Sequence, residues 1–276
     1  MRRHVNIWAK VRSVLWRGPG AKRLAIRGEK ILSGTRLGML TPSSNTVLEP
    51  VTHAMLSGLD GVTAHFSRFH VTEISLSQQA LGQFEFDPII QAARLLADAK
   101  VDAIAWNGTS GGWRGFAFER ELCRRIEHET GIPATTCTLA LLEILERTKA
   151  RALGWATPYV DEIQDKILQT FGAAGFTCKA ERHLRDRGNF SFGEISEERI
   201  DEMLREVVAE RPDAAIIFCT NLRGAGLVDR LEQEFDVPIY DSVAITVWKS
   251  LLLAGVDPGR IRGWGRLFSL GAGEAR

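Results

Sequence analysis

IIFCTNLRG, residues 216–224, is a short apolar run that stops at Cys219 and gives way to small polar residues and a glycine. A buried parallel strand delivers a side chain to the mouth of an open α/β sheet in this way, and such sheets bind ligands at their strand ends. The pattern occurs twice. DAIAWNGTS (102–110) aligns without a gap on DAAIIFCTN (213–221), so Thr109 falls on Thr220 and Gly108 on Cys219. One copy carries a thiol and the other, at the same place, a hole.

Two further pairs keep the same order. RLGMLTP (36–42) resembles ALGWATP (152–158), and GIPATTCTLA (131–140) resembles DVPIYDSVAI (236–245) in its turn, its proline and the apolar helix that follows. A period of about a hundred residues is too long for a solenoid and implies two similar lobes.

Between these anchors, strand and helix patterns alternate. Strands are expected at 37–40, 62–66, 103–106, 134–136, 152–156, 177–181, 214–218 and 239–240. Helices are expected at 47–56, 88–99, 118–128, 139–147, 160–171, 196–210, 226–235 and 244–254. Alternation of this kind means parallel sheets with right-handed crossovers. The predicted fold class is therefore α/β: two similar flavodoxin-like lobes, each a parallel sheet flanked by helices, with a site in the cleft between them. Lobe one is expected to span 36–150 and lobe two 151–254, with 255–276 packing back on lobe one.

Residues 1–35 hold nine of the 35 Lys/Arg and one of the 34 Asp/Glu, so the remainder carries a net charge of −7. The basic segment is expected to be an unstructured extension, or the product of a start codon set too far upstream; an organelle presequence has a similar look. The acidic body argues against a nucleic-acid surface. Any anionic ligand must then be held by local donors against the overall field. Four scattered cysteines without metal-ligand spacing point to free thiols and a cytoplasmic location. No apolar run reaches membrane-spanning length, and no partner in a membrane is expected. The oligomeric state is not fixed, and a homo-oligomer stays open.

Cys219 is the leading catalytic candidate, because backbone N–H groups at a strand end can adjust a thiol. Cys123, Cys137 and Cys178 read as structural. Thr109 and Ser110, in the glycine-rich turn 108–112, can hold a carboxylate or a developing oxyanion. That turn also fits G-x-S-x-G, but 113–115 delay the expected helix and His183 is the sole histidine beyond 128, which counts against a serine hydrolase. Asn45, in PSSNT (42–46), is placed to meet a ligand or to cap a helix. Tyr159 occupies the equivalent turn of lobe two, and Asn189 lies in a glycine-containing loop. His65 and His70 lack a third ligand, so no metal is expected. No G-x-G-x-x-G or Walker pattern implies a cofactor.

Together these residues, from Arg36 to Leu270, resemble the aspartate/glutamate racemase superfamily, in its arylmalonate decarboxylase and maleate cis-trans isomerase branches. Residues 108–110, 131–136, 157–161 and GWGRLF (263–268) look like the decarboxylase; 42–46 and Asn189 look like the isomerase. The resemblance implies a cofactor-independent lyase or isomerase of small dicarboxylates, working through an enediolate. Cys219 matches the second of the two cysteines used by the racemases and isomerases, and Gly108 replaces the first, as in the decarboxylase. Two-base racemisation and nucleophilic isomerisation both lack a group there. A single thiol still suffices to protonate an enediolate. The implied picture has Thr109, Ser110, Tyr159 and the amides near Cys219 and Thr220 around the retained carboxylate, Asn45 and Asn189 near a second polar group, and Cys219 as proton donor. Decarboxylation leads, isomerisation and racemisation follow, and a non-catalytic carboxylate-binding protein is the rival from another class.

Overall fold

The computed structural model describes residues 34–271; the basic segment read from the sequence lies almost wholly outside them. Two four-stranded sheets, parallel throughout, form the body. In chain order the first contains β1 (Thr35–Pro42), β2 (Val62–Phe69), β3 (Ala103–Trp106) and β4 (Ala134–Thr136), arranged β2-β1-β3-β4. The second contains β5 (Ala152–Thr157), β6 (Thr177–His183), β7 (Ala214–Ile217) and β8 (Ile239–Asp241), arranged β6-β5-β7-β8. The identical order is the duplication in three dimensions. Its registers agree too: Leu37 pairs with Ala103 in one sheet and Leu153 with Ala214 in the other.

Strands β3 (AIAW) and β7 (AAII) are buried at every position, as sheets covered by helices on both faces require. The covering helices are amphipathic. Residues Phe86–Asp98, for example, bury Ile89, Ile90, Ala93 and Leu96 at helical spacing. The aspartate that opens each repeat has a defined task. Asp102 accepts from the Arg36 N–H at 2.7 Å, and Asp213 accepts from Arg151 and Ala152 N–H at 2.8 Å, so each carboxylate clamps the start of the neighbouring strand. Those backbone donors hold the Asp213 carboxyl below its usual range.

Three one-turn helices, 78–82, 111–114 and 189–192, are additional to the pattern read from the sequence. They are too short for periodicity to reveal. The second corrects an expectation: residues 111–114 do not delay a helix but form one directly after Ser110, ended by Gly115 at φ +91°. The last long helix, Ser242–Leu253, lies against β3, β4 and helices Leu48–Leu56 and Cys137–Thr148 of the first lobe. Cys137 Sγ donates to the Ser242 carbonyl at 3.4 Å across that contact. The C-terminal segment touches both lobes. The Leu270 carbonyl accepts from Trp248 Nε1 at 2.7 Å, the Gly271 carbonyl from Arg147, and Arg266 N–H donates to Glu232. No helix among the described residues is long and apolar enough to cross a membrane.

Candidate active site

Because β3 and β7 end at Trp106 and Ile217, Gly108 and Cys219 each lie two residues beyond a central strand, at equivalent places in the two lobes. Both line one pocket of about 20 Å³. The remaining wall comes from the polar Thr109, Ser110, Tyr159, Asn189 and Thr220 and from the apolar Pro42, Val71, Ile74, Phe84, Trp106 and Trp113. That volume suits roughly one water molecule. A segment between β2 and the helix at 86–98 contributes Val71, Ile74 and Phe84 to its wall. This strap is tied to lobe two by Ile74 N–H to the Arg187 carbonyl at 3.0 Å and by Leu76 N–H to Glu162 at 3.2 Å; Asn189 N–H donates back to the Thr72 carbonyl at 3.2 Å.

The seven residues singled out from the sequence fall into two groups. Cys219, Thr109, Ser110, Tyr159, Thr220 and Asn189 all line the cavity. Asn45 lies behind the wall: its Oδ1 accepts from Val47 and Leu48 N–H, capping the first helix, while its Nδ2 donates to Thr220 Oγ1 at 3.1 Å. Thr220 in turn donates to the Asn107 carbonyl at 3.0 Å, and Asn189 Nδ2 donates to Ser44 Oγ at 2.8 Å. Thr109 and Tyr159 share a 2.5 Å hydrogen bond between their hydroxyls, which joins the two lobes.

Cys219 is 3% exposed. Burial pushes its thiol up to about 12, against the opposing influence of the Asn221 N–H, which reaches Sγ at 3.4 Å. Backbone donors were expected to set this thiol; desolvation outweighs them. Such a group is a protonated sulfur at neutral pH, able to give a proton and ill-suited to attack as a thiolate. Burial likewise raises the Tyr159 phenol well above its ordinary value, leaving it a neutral donor. No charged side chain lines the cavity among the described residues.

The place expected to be bare is filled. A Cβ on Gly108 would lie 2.0 Å from Trp106 Cζ2 and 2.4 Å from Cε2, so the six-membered ring of the indole covers Gly108. Trp106 is fully buried, packs on Phe69 with ring centroids 4.9 Å apart, and donates from Nε1 to Ser110 Oγ at 3.2 Å. Ser110 passes its own hydrogen to Glu119 Oε1 at 3.2 Å. Glu119 is wholly buried, and burial raises its carboxyl to about 7 against hydrogen bonds from Thr136, Ser110 and the Gly111 N–H and the charge of Arg114. Its other oxygen and the Trp113 Nε1 have no partner among the described residues. Ser110 therefore belongs to a Trp106–Ser110–Glu119 chain, and His183 lies elsewhere, bonded to Glu181 and to Asp161 at 2.6 Å; among the described residues no histidine stands beside Ser110 as a serine hydrolase requires.

Three groups were missed from the sequence. Trp106 was read only as the end of a strand, and Glu119 only as one polar residue of a helix. Asn221 stitches the lobes: its Oδ1 accepts from Thr46 N–H at 2.9 Å and Val47 N–H at 3.1 Å, and its Nδ2 donates to the Asn189 carbonyl at 2.6 Å. A usable signal existed only for Asn221, the residue closing the duplicated stretch.

Among known proteins, the family model for arylmalonate decarboxylase matches residues 38–268. An arylmalonate decarboxylase of Bordetella bronchiseptica is 24% identical over 185 residues, covering 66% of this chain and 77% of that protein. A maleate isomerase of Nocardia farcinica is 28% identical over 240 residues, covering 81% and 93%. The crystal structure of a maleate isomerase from Pseudomonas putida with maleate superposes with a TM-score of 0.80 at 20% identity, covering 87% of this chain and all of that one.

Proposed function

Since the chain belongs to the arylmalonate decarboxylase family and is an enzyme of the decarboxylase or isomerase type, we propose that it is a cofactor-independent decarboxylase of substituted malonates in which Cys219 is the proton donor. The reading rests chiefly on a buried, protonated thiol placed across the cleft from a wall that carries no second acid. Hydroxyls of Thr109, Ser110, Tyr159 and Thr220 and the amide of Asn189 line the cavity, where a retained carboxylate would meet them. The apolar lining residues would face the carboxylate that leaves.

A dianion in a site without a cation is poorly solvated. Loss of one carboxylate as CO2 removes the group that the apolar wall cannot stabilise. The bond between the α carbon and that carboxylate breaks, and its electron pair stays on the α carbon and spreads into the remaining carboxylate. The one hydroxyl hydrogen left over by the Thr109–Tyr159 pair then meets the growing charge on this enediolate, and Ser110 and Thr220 add to it by turning their hydrogens from Glu119 and the Asn107 carbonyl. Cys219 Sγ transfers its proton to the α carbon, and the thiolate regains one from water. Asn45, both of whose polar groups are engaged, acts by holding Thr220.

The maleate isomerase reading is supported by the longer match to the Nocardia farcinica relative and by Asn189 in the wall. It needs a nucleophile or second acid in the space over Gly108. One experiment separates the two: incubate the protein with malonates and with maleate in D2O and follow both by NMR. Loss of CO2 with one deuterium in the product supports the decarboxylase; fumarate from maleate supports the isomerase. Cys219→Ala, with its fold verified by circular dichroism, should lose the activity; undiminished turnover refutes the role given to the thiol.

A further inference from the structure

Gly108 and Cys219 occupy equivalent points, so their side chains would approach a bound acid from opposite faces. On the Cys219 face stands a thiol. On the other stands the Trp106 ring, lying where any side chain of residue 108 would have to be. This ring is fixed. It is fully buried, wedged against Phe69 and Phe84, and bonded through its only N–H to Ser110. It offers the cleft carbon and hydrogen alone, with no exchangeable proton, and it fills the volume where a Gly108 side chain would stand.

We propose that Trp106 is a specificity-determining residue: its indole seals the face of the enediolate opposite Cys219, so protonation is confined to one side and the product is a single enantiomer. The inference rests on the decarboxylase reading and adds to it the origin of handedness. Cys219 decides that a proton is delivered, and Trp106 decides that none arrives from elsewhere. With the indole removed, water reaches the open face, gives a proton to the α carbon and is left as hydroxide; the two faces then compete. Trp106 touches the space of the reacting atoms but takes no part in proton transfer, so its loss should change the handedness of the product more than the rate.

The test uses the full chain with 2-ethyl-2-methylmalonate and 2-methyl-2-phenylmalonate, whose decarboxylation products are chiral, read by chiral chromatography. The native protein should give one enantiomer in ~10-fold or greater excess, the ratio that a difference of about 1.4 kcal/mol between two faces produces. Trp106→Leu should bring the ratio towards unity while CO2 release continues. If it does not fold, Trp106→Phe replaces it, with a smaller erosion expected. A folded variant that keeps the native ratio overturns the proposal. Absence of CO2 release from the native protein on these and on monosubstituted malonates overturns the decarboxylase reading itself, and the assignment of Trp106 with it. The two failures are distinguishable because only the second lacks product.

Discussion

Glu119 offers the sharpest quantitative test of how the cleft is built. Its carboxyl is fully buried, and its pKa stands at about 7 in the folded protein, against the ordinary 4.5 for an exposed glutamate. The folded state therefore binds a proton that the unfolded state has released over the range from pH 4.5 to 7. Stability from the protonated form is complete below pH 4.5 and is lost as pH rises through 7, after which the loss is constant. At 1.36 kcal/mol per unit, a rise of two to three units costs on the order of 3 kcal/mol at pH 8. Glu119→Gln keeps the shape and the acceptor for Ser110 but does not titrate. Urea unfolding of both proteins between pH 4 and 9 should show nearly equal stability at the acid end and a Gln variant more stable by about 3 kcal/mol at pH 8. Asp241, also raised to about 7 by burial, contributes the same slope to both proteins and cancels in the difference. A functional echo accompanies this. Ionised Glu119 draws the Ser110 hydrogen away from the cleft, so substrate binding should weaken above pH 7 in the native protein and less so in the variant. Curves that stay parallel from pH 5 to 8 would refute the reasoning.

Other perturbations test separate parts of the site. Tyr159→Phe removes the hydrogen bond to Thr109 and one donor to the retained carboxylate, and should lower kcat/KM ~10-fold or more, measured by CO2 release. Asn221→Ala leaves the N–H groups of Thr46 and Val47 and the Asn189 carbonyl without their partner, and should destabilise the protein by roughly 3 kcal/mol or more in chemical denaturation. Gly108→Ala forces a methyl group into the Trp106 ring; a loss of about 2 kcal/mol is expected, and most of it should vanish in a Trp106→Leu background. Additive effects of those two substitutions would show that the ring does not occupy that volume.

How much of this was legible in the sequence differs by element. The sheets were readable because β3 and β7 are uninterrupted apolar runs, and because the duplicated aspartates, 102 and 213, mark the start of each central strand. Strand ends fixed the places of Cys219, Thr109 and Ser110, so six of the seven candidate residues share one cavity. Asn45 was harder, since a residue beyond a strand can turn either to the ligand or to the helix it precedes, and only the orientation of its amide decides. Trp106 could not be read at all. Its position on β3 was evident, yet the direction of a large side chain at a strand end depends on what packs around it, here Phe69 and Phe84 from residues some twenty to forty positions earlier. Glu119 was hidden for a similar reason. A carboxyl on an amphipathic helix is ordinarily solvated, and its burial follows from Gly111, where a Cβ would lie 2.5 Å from Glu119 Cγ.

The amide of Asn221 has a mechanical consequence. By binding Thr46, Val47 and Asn189 at once, next door to Cys219, it pins the two halves together along that edge, and Asn45 and Thr220 reinforce the pin. A pocket with room for about one water must widen to take the diacid proposed above, and these hydrogen bonds resist widening along this edge. Opening on that edge would break every bond of one amide, whereas opening at the strap would break the links of Thr72, Ile74 and Leu76 to lobe two.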